Sequence, residues 1–317
     1  MNTGSPSSVS VPPLVAKNDW KADLKLAVGP YIKNLVSLSR GNLADKRIFF
    51  DPNTQEEVTI QGAQQNEIPG YFYSSSKEGQ SPAILLLHGS TPAGKQMGLY
   101  RLLAHRLSGL GYAVLTIDQR GHGKANPPNK LDSVEDLDFA ADAMLALDYL
   151  KQRPEVDSKK TYLLGHSFGG DVAITAGARD IDTNKILAYG PGRRYEERVQ
   201  NELAYFCRRF TRYMKLSQLL PAELYLQTIG SQLLESHLGT YTSADHVPLT
   251  LIDGERESRE DRHFLGEISS QLSDRVMYKT VPKADHYANV AYFGRFIIYD
   301  RLAFELFLEE IADWFCK

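Results

Sequence analysis

The fold of this chain is decided by a short stretch, GHSFGG at residues 165–170, which directly follows the apolar run YLL at residues 162–164. The stretch matches the pattern G-x-S-x-G, and a run of small, mostly apolar residues (171–178) comes after it. A strand, a glycine-flanked turn and a helix in this order predict a sharp strand-to-helix turn with Ser167 at its apex. The flanking glycines leave room where strand and helix approach closely. We therefore expect the Ser167 hydroxyl to be exposed at one end of a sheet.

Strand-like apolar runs alternate with helical patterns on both sides of this turn. The predicted strands lie at residues 58–60, 70–73, 83–87, 112–117, 162–164, 186–189, 247–252 and 276–281. Alternation of this kind is typical of a mostly parallel sheet with helices on both faces. The sequence therefore predicts an α/β fold with a mostly parallel, eight-stranded sheet flanked by helices.

Four segments follow from the patterning. Residues 1–45 are expected to form an N-terminal tail and helical extension, and residues 46–191 the first part of the core. Residues 192–240 hold two helical patterns, at 196–215 and 222–237, broken at Pro221. An insertion of this size usually lies over the carboxyl ends of the strands, which makes it a candidate lid. Residues 241–317 complete the core.

Composition excludes several classes of function. The 317 residues include 36 Lys and Arg against 39 Asp and Glu, a net charge of −3 that gives no reason to expect a nucleic-acid partner. No apolar run is long enough to insert into a membrane, and no secretory signal is visible, so a cytoplasmic location is expected. Cys207 and Cys316 show no metal-ligand spacing, and we predict neither a metal nor a cofactor.

A hydroxyl nucleophile needs a base, and His286 is the predicted one. The turn resembles that of the α/β-hydrolases, in which the nucleophile is followed by an acid and then a histidine, each on a loop after a later strand. Four histidines lie beyond Ser167, but only His286 closely follows a strand-like run (276–281); the others are His237, His246 and His263. His237 belongs to the lid pattern, His246 precedes a strand, and His263 lies in a charged helical pattern.

The acid that orients the base is expected just after the strand at 247–252, where five carboxylates cluster: Asp253, Glu255, Glu257, Glu260 and Asp261. Asp253 still belongs to the strand, and Asp261 lies in the next helical pattern. Glu257 follows the turn glycine on the loop itself, from which a carboxylate can point back towards the imidazole. We favour Glu257, with Asp253 and Asp261 as alternatives.

Two backbone N–H groups are expected to hold the oxyanion. One belongs to Phe168, the residue after the nucleophile. The other comes from the loop after the strand at 83–87, where Gly89 permits the turn and Ser90 or Thr91 presents its amide. We interpret the loop at 118–123 as structural, and the side chain of His166, which points away from the Ser167 hydroxyl, as part of the packing.

Together these motifs resemble the α/β-hydrolase superfamily, in particular dienelactone-hydrolase-like and prolyl-oligopeptidase-like serine hydrolases. The resemblance covers residues 57–317, except the lid segment, and rests on IPGYFY at 68–73, LHG at 87–89, DQRGHG at 118–123, GHSFGG at 165–170, GERE at 254–257 and ADH at 284–286. Two residues depart from these families, since Glu257 stands where Asp is usual and dienelactone hydrolases proper use a cysteine nucleophile.

The resemblance implies a serine hydrolase that cleaves a small-molecule ester or acyl substrate through an acyl-enzyme. A peptidase or amidase with the same residues is the alternative, followed by a catalytically silent binding protein. Neither the acyl preference nor the oligomeric state follows from the residues.

Overall fold

The computed structural model of the protein describes residues 42–43, 55–62, 66–179, 181–192, 222–243, 245–293 and 296–316. Eight strands form one large sheet, and three short strands form a second. The large sheet contains β2 (Gln55–Gln61), β3 (Glu67–Tyr73), β4 (Ser81–Leu87), β5 (Ala113–Ile117), β6 (Val156–His166), β7 (Lys185–Tyr189), β8 (Leu249–Gly254) and β9 (Val276–Val281). The small sheet contains β1 (Asn42–Leu43), β10 (Val290–Phe293) and β11 (Phe296–Tyr299).

The order of the large sheet is β2-β3-β5-β4-β6-β7-β8-β9. Every neighbouring pair from β5 to β9 is parallel, whereas β2 and β3 are antiparallel at one edge. The predicted α/β class with a mostly parallel, eight-stranded sheet is confirmed. The small antiparallel sheet was not predicted, because its strands span at most four residues and show no clear alternation.

Seven α-helices lie in the part of the chain that the structure describes. They are α1 (Gly98–Gly109), α2 (Phe139–Lys151), α3 (Phe168–Ala178), α4 (Ala222–Ser231), α5 (Leu238–Tyr241), α6 (Arg259–Ser269) and α7 (Arg301–Cys316). The predicted N-terminal helix and the first lid helix, at 196–215, lie outside the described residues. None of the described helices has the length and apolar character required to span a bilayer.

Two apolar clusters cover the two faces of the large sheet. Successive residues of β4 alternate between them, since Leu85 and Leu87 belong to one cluster and Ile84 and Leu86 to the other. Helices α2 and α3 pack on the first face, and α1 and α7 on the second. Because both faces are covered, the central strands are apolar at almost every position, which made them visible in the sequence.

Residues 222–243, here called the cap segment, pack against α3, the helix that begins after Ser167. The hydroxyl of Tyr241 donates to the carbonyl of Ile174 at 2.6 Å, and the Thr175 hydroxyl lies 3.0 Å from His237 Nε2. The second lid pattern, at 222–237, is thus α4 followed by a short 3-10 helix, Leu234–His237. The division of the chain into core and lid stays a prediction.

Candidate active site

The turn between β6 and α3 holds Ser167 in a conformation that few side chains adopt. Its φ of 53° and ψ of −126° lie in the region that normally favours glycine. A Cβ on Gly165 would lie 2.0 Å from the carbonyl oxygen of Gly169, and one on Gly169 would lie 2.4 Å from the carbonyl oxygen of Leu87. Both glycines are therefore required by close backbone approach, as expected of a nucleophile elbow.

The loop that follows β4 lies against this turn. A Cβ on Gly89 would lie 2.8 Å from the Cβ of Ser167, so glycine is needed for the loop to approach the elbow. Ser90 follows directly and is thereby brought close to the nucleophile. Phe168 is the first residue of α3, where backbone N–H groups have no partner within the helix. The two residues predicted to hold an oxyanion therefore lie beside the elbow.

The structure pairs His286 with Glu257. Nδ1 of His286 lies 3.1 Å from Oε2 of Glu257, and the Glu257 side chain is only 8% exposed while that of His286 is 31% exposed. The other carboxylate oxygen of Glu257 accepts the backbone N–H of Gly254 at 3.2 Å. A buried carboxylate bonded to Nδ1 fixes the orientation of the imidazole and leaves Nε2 as the nitrogen that can accept a proton.

The two alternative acids have other surroundings. Asp253 is buried in β8, where its carboxylate accepts the Tyr278 hydroxyl at 3.3 Å. Asp261 lies in the first turn of α6, and its N–H donates to the Ser258 hydroxyl at the start of that helix. The carboxylate that the structure places at hydrogen-bonding distance from His286 is that of Glu257.

His286 lies on a loop, residues 282–289, that we call the histidine loop. Oδ1 of Asp285 accepts the N–H groups of Tyr287 and Asn289, at 2.9 and 2.8 Å. Nδ2 of Asn289 donates to the carbonyl of Lys283 at 2.8 Å. Lys283, Ala288 and Asn289 all have positive φ. The conformation of the loop therefore depends on hydrogen bonds that its own side chains make.

The end of β7 joins the elbow to this loop. The N–H of Ser167 donates to the carbonyl of Tyr189 at 2.8 Å, and the Tyr189 hydroxyl donates to the carbonyl of Asp285. A Cβ on Gly190 would lie 2.8 Å from Nδ1 of His286. Since Gly190 also has a φ of 56°, glycine is required there twice over. Elbow, base and acid thus meet at the carboxyl edge of the sheet.

His166 does more than the packing predicted for it. Its Nε2 lies 2.6 Å from the carbonyl oxygen of His286, and its Nδ1 lies 2.8 Å from the Tyr100 hydroxyl. The Tyr100 hydroxyl in turn accepts the N–H of Gly89 at 2.7 Å. Burial, which disfavours the charged ring, lowers the pKa of His166 to about 3, so the ring is neutral at physiological pH.

Tyr225 connects the cap segment to the oxyanion side of the site. Its hydroxyl lies 2.8 Å from the Ser90 hydroxyl and 3.1 Å from Nε2 of His122. Nδ1 of His122 lies 2.8 Å from the carbonyl of Arg120, which can only accept, so Nδ1 carries the proton and Nε2 accepts from Tyr225. Burial lowers the pKa of His122 to about 3 and keeps this ring neutral as well.

The loop at 118–123, interpreted from the sequence as structural, is braced by buried ion pairs. Asp118 accepts Lys95 Nζ at 2.5 Å, and Arg120 binds Asp142 through two contacts, at 2.5 and 2.8 Å. All four side chains are almost completely buried. These pairs are consistent with the structural interpretation.

Sequence reasoning missed Tyr100, Tyr225 and the hydrogen bonds of His166. One indication was available for His166, because a polar ring in an apolar strand-to-helix turn must find partners when it is buried. Tyr100 and Tyr225 gave no such indication, since tyrosines at helical spacing are equally well explained by packing.

Comparison with known proteins agrees with this architecture. The sequence model of the serine aminopeptidase family, S33, matches residues 80–243. The esterase EstD of Thermotoga maritima is 28% identical over 164 residues, which cover 50% of this chain and 38% of the esterase. The lysophosphatidylserine lipase ABHD12 of Danio rerio is 36% identical over 112 residues, 35% of this chain and 27% of the lipase. A solved structure of a hypothetical protein from Pseudomonas aeruginosa superposes with a TM-score of 0.59 at 17% identity, covering 86% of this chain and 98% of that one.

These matches differ in what they establish. The curated relatives align over less than two fifths of their own length, and the likeness to the solved structure shows the fold alone. The S33 match spans more than half of the chain and includes β4, the elbow and the cap segment. The predicted membership of the α/β-hydrolase superfamily is confirmed, and the chain belongs to its serine aminopeptidase family, S33.

Proposed function

We propose that the protein is a serine hydrolase that cleaves carboxylic esters through an acyl-enzyme intermediate. The observation that carries the proposal is the 3.1 Å pairing of His286 with the buried Glu257, next to a strained elbow that presents Ser167. A nucleophile on a sharp turn, a base and an acid that orients the base are the three parts that acyl transfer by a hydroxyl requires.

In this proposal Ser167 Oγ attacks the acyl carbon of the substrate while Nε2 of His286 takes the hydroxyl proton. Glu257 holds the Nδ1–H of the ring and stabilises the imidazolium that forms. His286 then returns the proton to the departing alcohol, which leaves an acyl group on Ser167. A water molecule, activated by the same imidazole, hydrolyses the acyl-enzyme and restores the serine.

The N–H groups of Phe168 and Ser90 are the proposed donors to the oxyanion of the tetrahedral intermediates. Phe168 begins α3, so its amide also lies at the positive end of the helix dipole. Removing one such donor in other serine hydrolases costs about 100- to 1,000-fold in kcat. Both donors are backbone groups, so their placement rather than their side-chain identity matters.

Two relatives support an ester over an amide as the bond that is cleaved, because they are named as an esterase and a lipase. The description of the family supports the alternative, since it is that of an aminopeptidase. A panel of p-nitrophenyl esters beside aminoacyl p-nitroanilides separates the two. We expect turnover of the esters; turnover of the anilides alone would replace the esterase proposal with a peptidase.

Labelling with a fluorophosphonate probe tests the nucleophile itself. We expect the wild-type protein to react and Ser167→Ala not to react. Ser243→Ala, which changes an exposed serine of the cap segment, should label like the wild type. A folded wild-type protein that neither labels nor turns over any ester would instead be a catalytically silent binding protein.

A further inference from the structure

The side chain of His166 links two parts of the site, the histidine loop and the loop after β4. It is 3% exposed and lies between the histidine loop on one side and Tyr100 of α1 on the other. Its ring centroid is 4.9 Å from that of His286, and it stacks on Tyr189 with 5.5 Å between centroids. None of the steps assigned above to the triad uses this ring.

The heavy-atom contacts of the neutral ring leave one arrangement of hydrogens. The carbonyl oxygen of His286 only accepts, so Nε2 of His166 carries the proton and donates to it. Nδ1 must then accept, and it accepts from the Tyr100 hydroxyl. The oxygen of that hydroxyl accepts the N–H of Gly89. Every polar atom in the series is satisfied, and every hydrogen bond points in one direction.

The series begins and ends on backbone groups that belong to, or lie next to, residues of the proposed catalytic machinery. At one end is the carbonyl of His286, the proposed base. At the other is the N–H of Gly89, whose neighbour Ser90 offers its amide to the oxyanion. On the basis of the function proposed above, we propose that His166 is a positioning residue. Through Tyr100, it holds the base and the loop after β4 (residues 88–91) at fixed distances from Ser167.

The physical reason is the sensitivity of acyl transfer to geometry. Misplacing a reacting group by about 1 Å can cost about 100-fold in rate. The histidine loop contains three non-glycine residues with positive φ, so its conformation relies on contacts from outside and inside the loop. The hydrogen bond from His166 is made to the backbone of the base residue itself, so its loss can shift the imidazole that must move the proton.

His246 provides a matched comparison for this role. It is also 3% exposed, and its nitrogens likewise lie 2.6 Å from a backbone carbonyl, that of Val247, and 2.6 Å from a hydroxyl, that of Ser273. It precedes β8, at the end of the sheet opposite to the elbow. Replacing either histidine removes the same kinds of bond. Because His246 lies far from the site, we expect only the His166 substitutions to lower kcat after correction for the fraction of folded protein.

The test compares His166→Phe, His166→Gln, Tyr100→Phe and His246→Phe with the wild type in ester turnover. We expect His166→Phe to lower kcat by about 30- to 100-fold with KM within about threefold, and Tyr100→Phe by about tenfold. His166→Gln keeps an N–H that can reach the carbonyl of His286 and should recover about tenfold of the loss. Active sites counted with the fluorophosphonate correct each kcat for unfolded protein.

Hydrogen exchange gives a second measurement that needs no substrate. We expect the amides of residues 88–91 and 282–289 to exchange faster in His166→Phe and Tyr100→Phe than in His246→Phe. Unchanged exchange there, or a kcat for His166→Phe equal to that for His246→Phe, would overturn the positioning role. If the wild type turns over no ester and yet exchange changes as expected, the proposed function fails while the coupling stands.

Discussion

The elbow (165–170) and the histidine loop (282–289) both hold non-glycine residues at positive φ, but different forces hold them. At the elbow the conformation is enforced by exclusion, because Gly165 and Gly169 face each other at a distance that admits no Cβ. In the histidine loop it is enforced by polar contacts, from Asp285 and Asn289 within the loop and from Tyr189 and His166 outside it.

This difference indicates which parts of such a site tolerate substitution. The steric constraint at the elbow involves residues within five positions of each other and is visible in the sequence as glycines. A single replacement of such a glycine produces a backbone clash. A network of hydrogen bonds loses its members one at a time, each at about 1 kcal/mol or somewhat more. We therefore expect substitution of the elbow glycines Gly165 and Gly169 to act mainly on folding, and loss of the polar contacts of the histidine loop to act mainly on rate.

The largest effect on stability is expected for Gly165→Ala. The added methyl would lie 2.0 Å from backbone of α3, which no side-chain movement can relieve, so we expect a loss of at least about 3 kcal/mol in the free energy of unfolding. Denaturant titration measures it. Gly170→Ala is the control, since its nearest contacts are at 3.4 Å and alanine favours a helix. Equal stability of the two variants would contradict the steric account.

The largest effect on rate is expected for Glu257→Gln. The amide keeps the shape of the side chain but cannot hold His286 in the same tautomer, and a comparable change in another triad lowers kcat by about 10,000-fold. Steady-state ester hydrolysis measures the change. Glu260→Gln, on the exposed face of α6, should retain the wild-type rate. A near-wild-type Glu257→Gln together with a large loss in Asp253→Asn or Asp261→Asn would reassign the acid.

A smaller effect is expected for Asn289→Gly. Glycine accepts the φ of 56° without strain but removes the side-chain bonds to Lys283 and Asp285, so kcat should fall by about tenfold and stability by about 1–2 kcal/mol. Lys283→Gly is the control, because it relieves positive φ at an exposed position of the same loop; its stability should change by less than about 1 kcal/mol. If both variants keep the wild-type kcat, the polar contacts do not position the base.

The smallest effect concerns pH. The pKa of His166 is about 3 in the folded protein against an ordinary value of 6.5, so in that interval the unfolded chain binds a proton that the folded protein does not. The stability from this group is therefore complete only well above pH 6.5 and is lost as the pH falls through 6.5 towards 3. Between pH 7 and pH 6 it contributes a loss of about 0.7 kcal/mol.

Denaturant titration at several pH values checks this, with His166→Gln as the comparison. The groups facing the ring are His286, Tyr100, Tyr189, Tyr287 and, by charge, Glu257. These remain in the variant, as does His122, whose pKa is also lowered to about 3 and gives both proteins the same sign of slope. We expect a shallower fall for the variant; parallel curves would show that His166 is not buried as a neutral ring.

Much of the fold could be predicted because its causes are local or periodic. All eight strands of the large sheet were expected near their observed places. The central ones, such as β4 and β5, are covered on both faces and are therefore apolar at almost every position. The elbow was recognisable from its glycines. The small sheet of β1, β10 and β11 was not, because its strands are only two to four residues long and β1 pairs with β11, which lies far away in the sequence.

The candidate site divides in the same way. Ser167, Glu257 and His286 could be proposed from chain order and from their positions after successive strands, and they stay predictions until activity is measured. The contacts of His166 with Tyr100 and His286, and those of Tyr225 with Ser90 and His122, could not be proposed, since each joins residues at least 66 positions apart that folding brings together.

The layered α/β architecture and the strained turn at Ser167 could be predicted without the structure, because apolar runs and backbone sterics act over a few residues. The contact between Glu257 and His286, and the bond from His166 to the backbone of the base, are visible only in the tertiary structure. The reason is physical: a buried polar side chain must be satisfied, but which partner satisfies it depends on which distant segment packs against it.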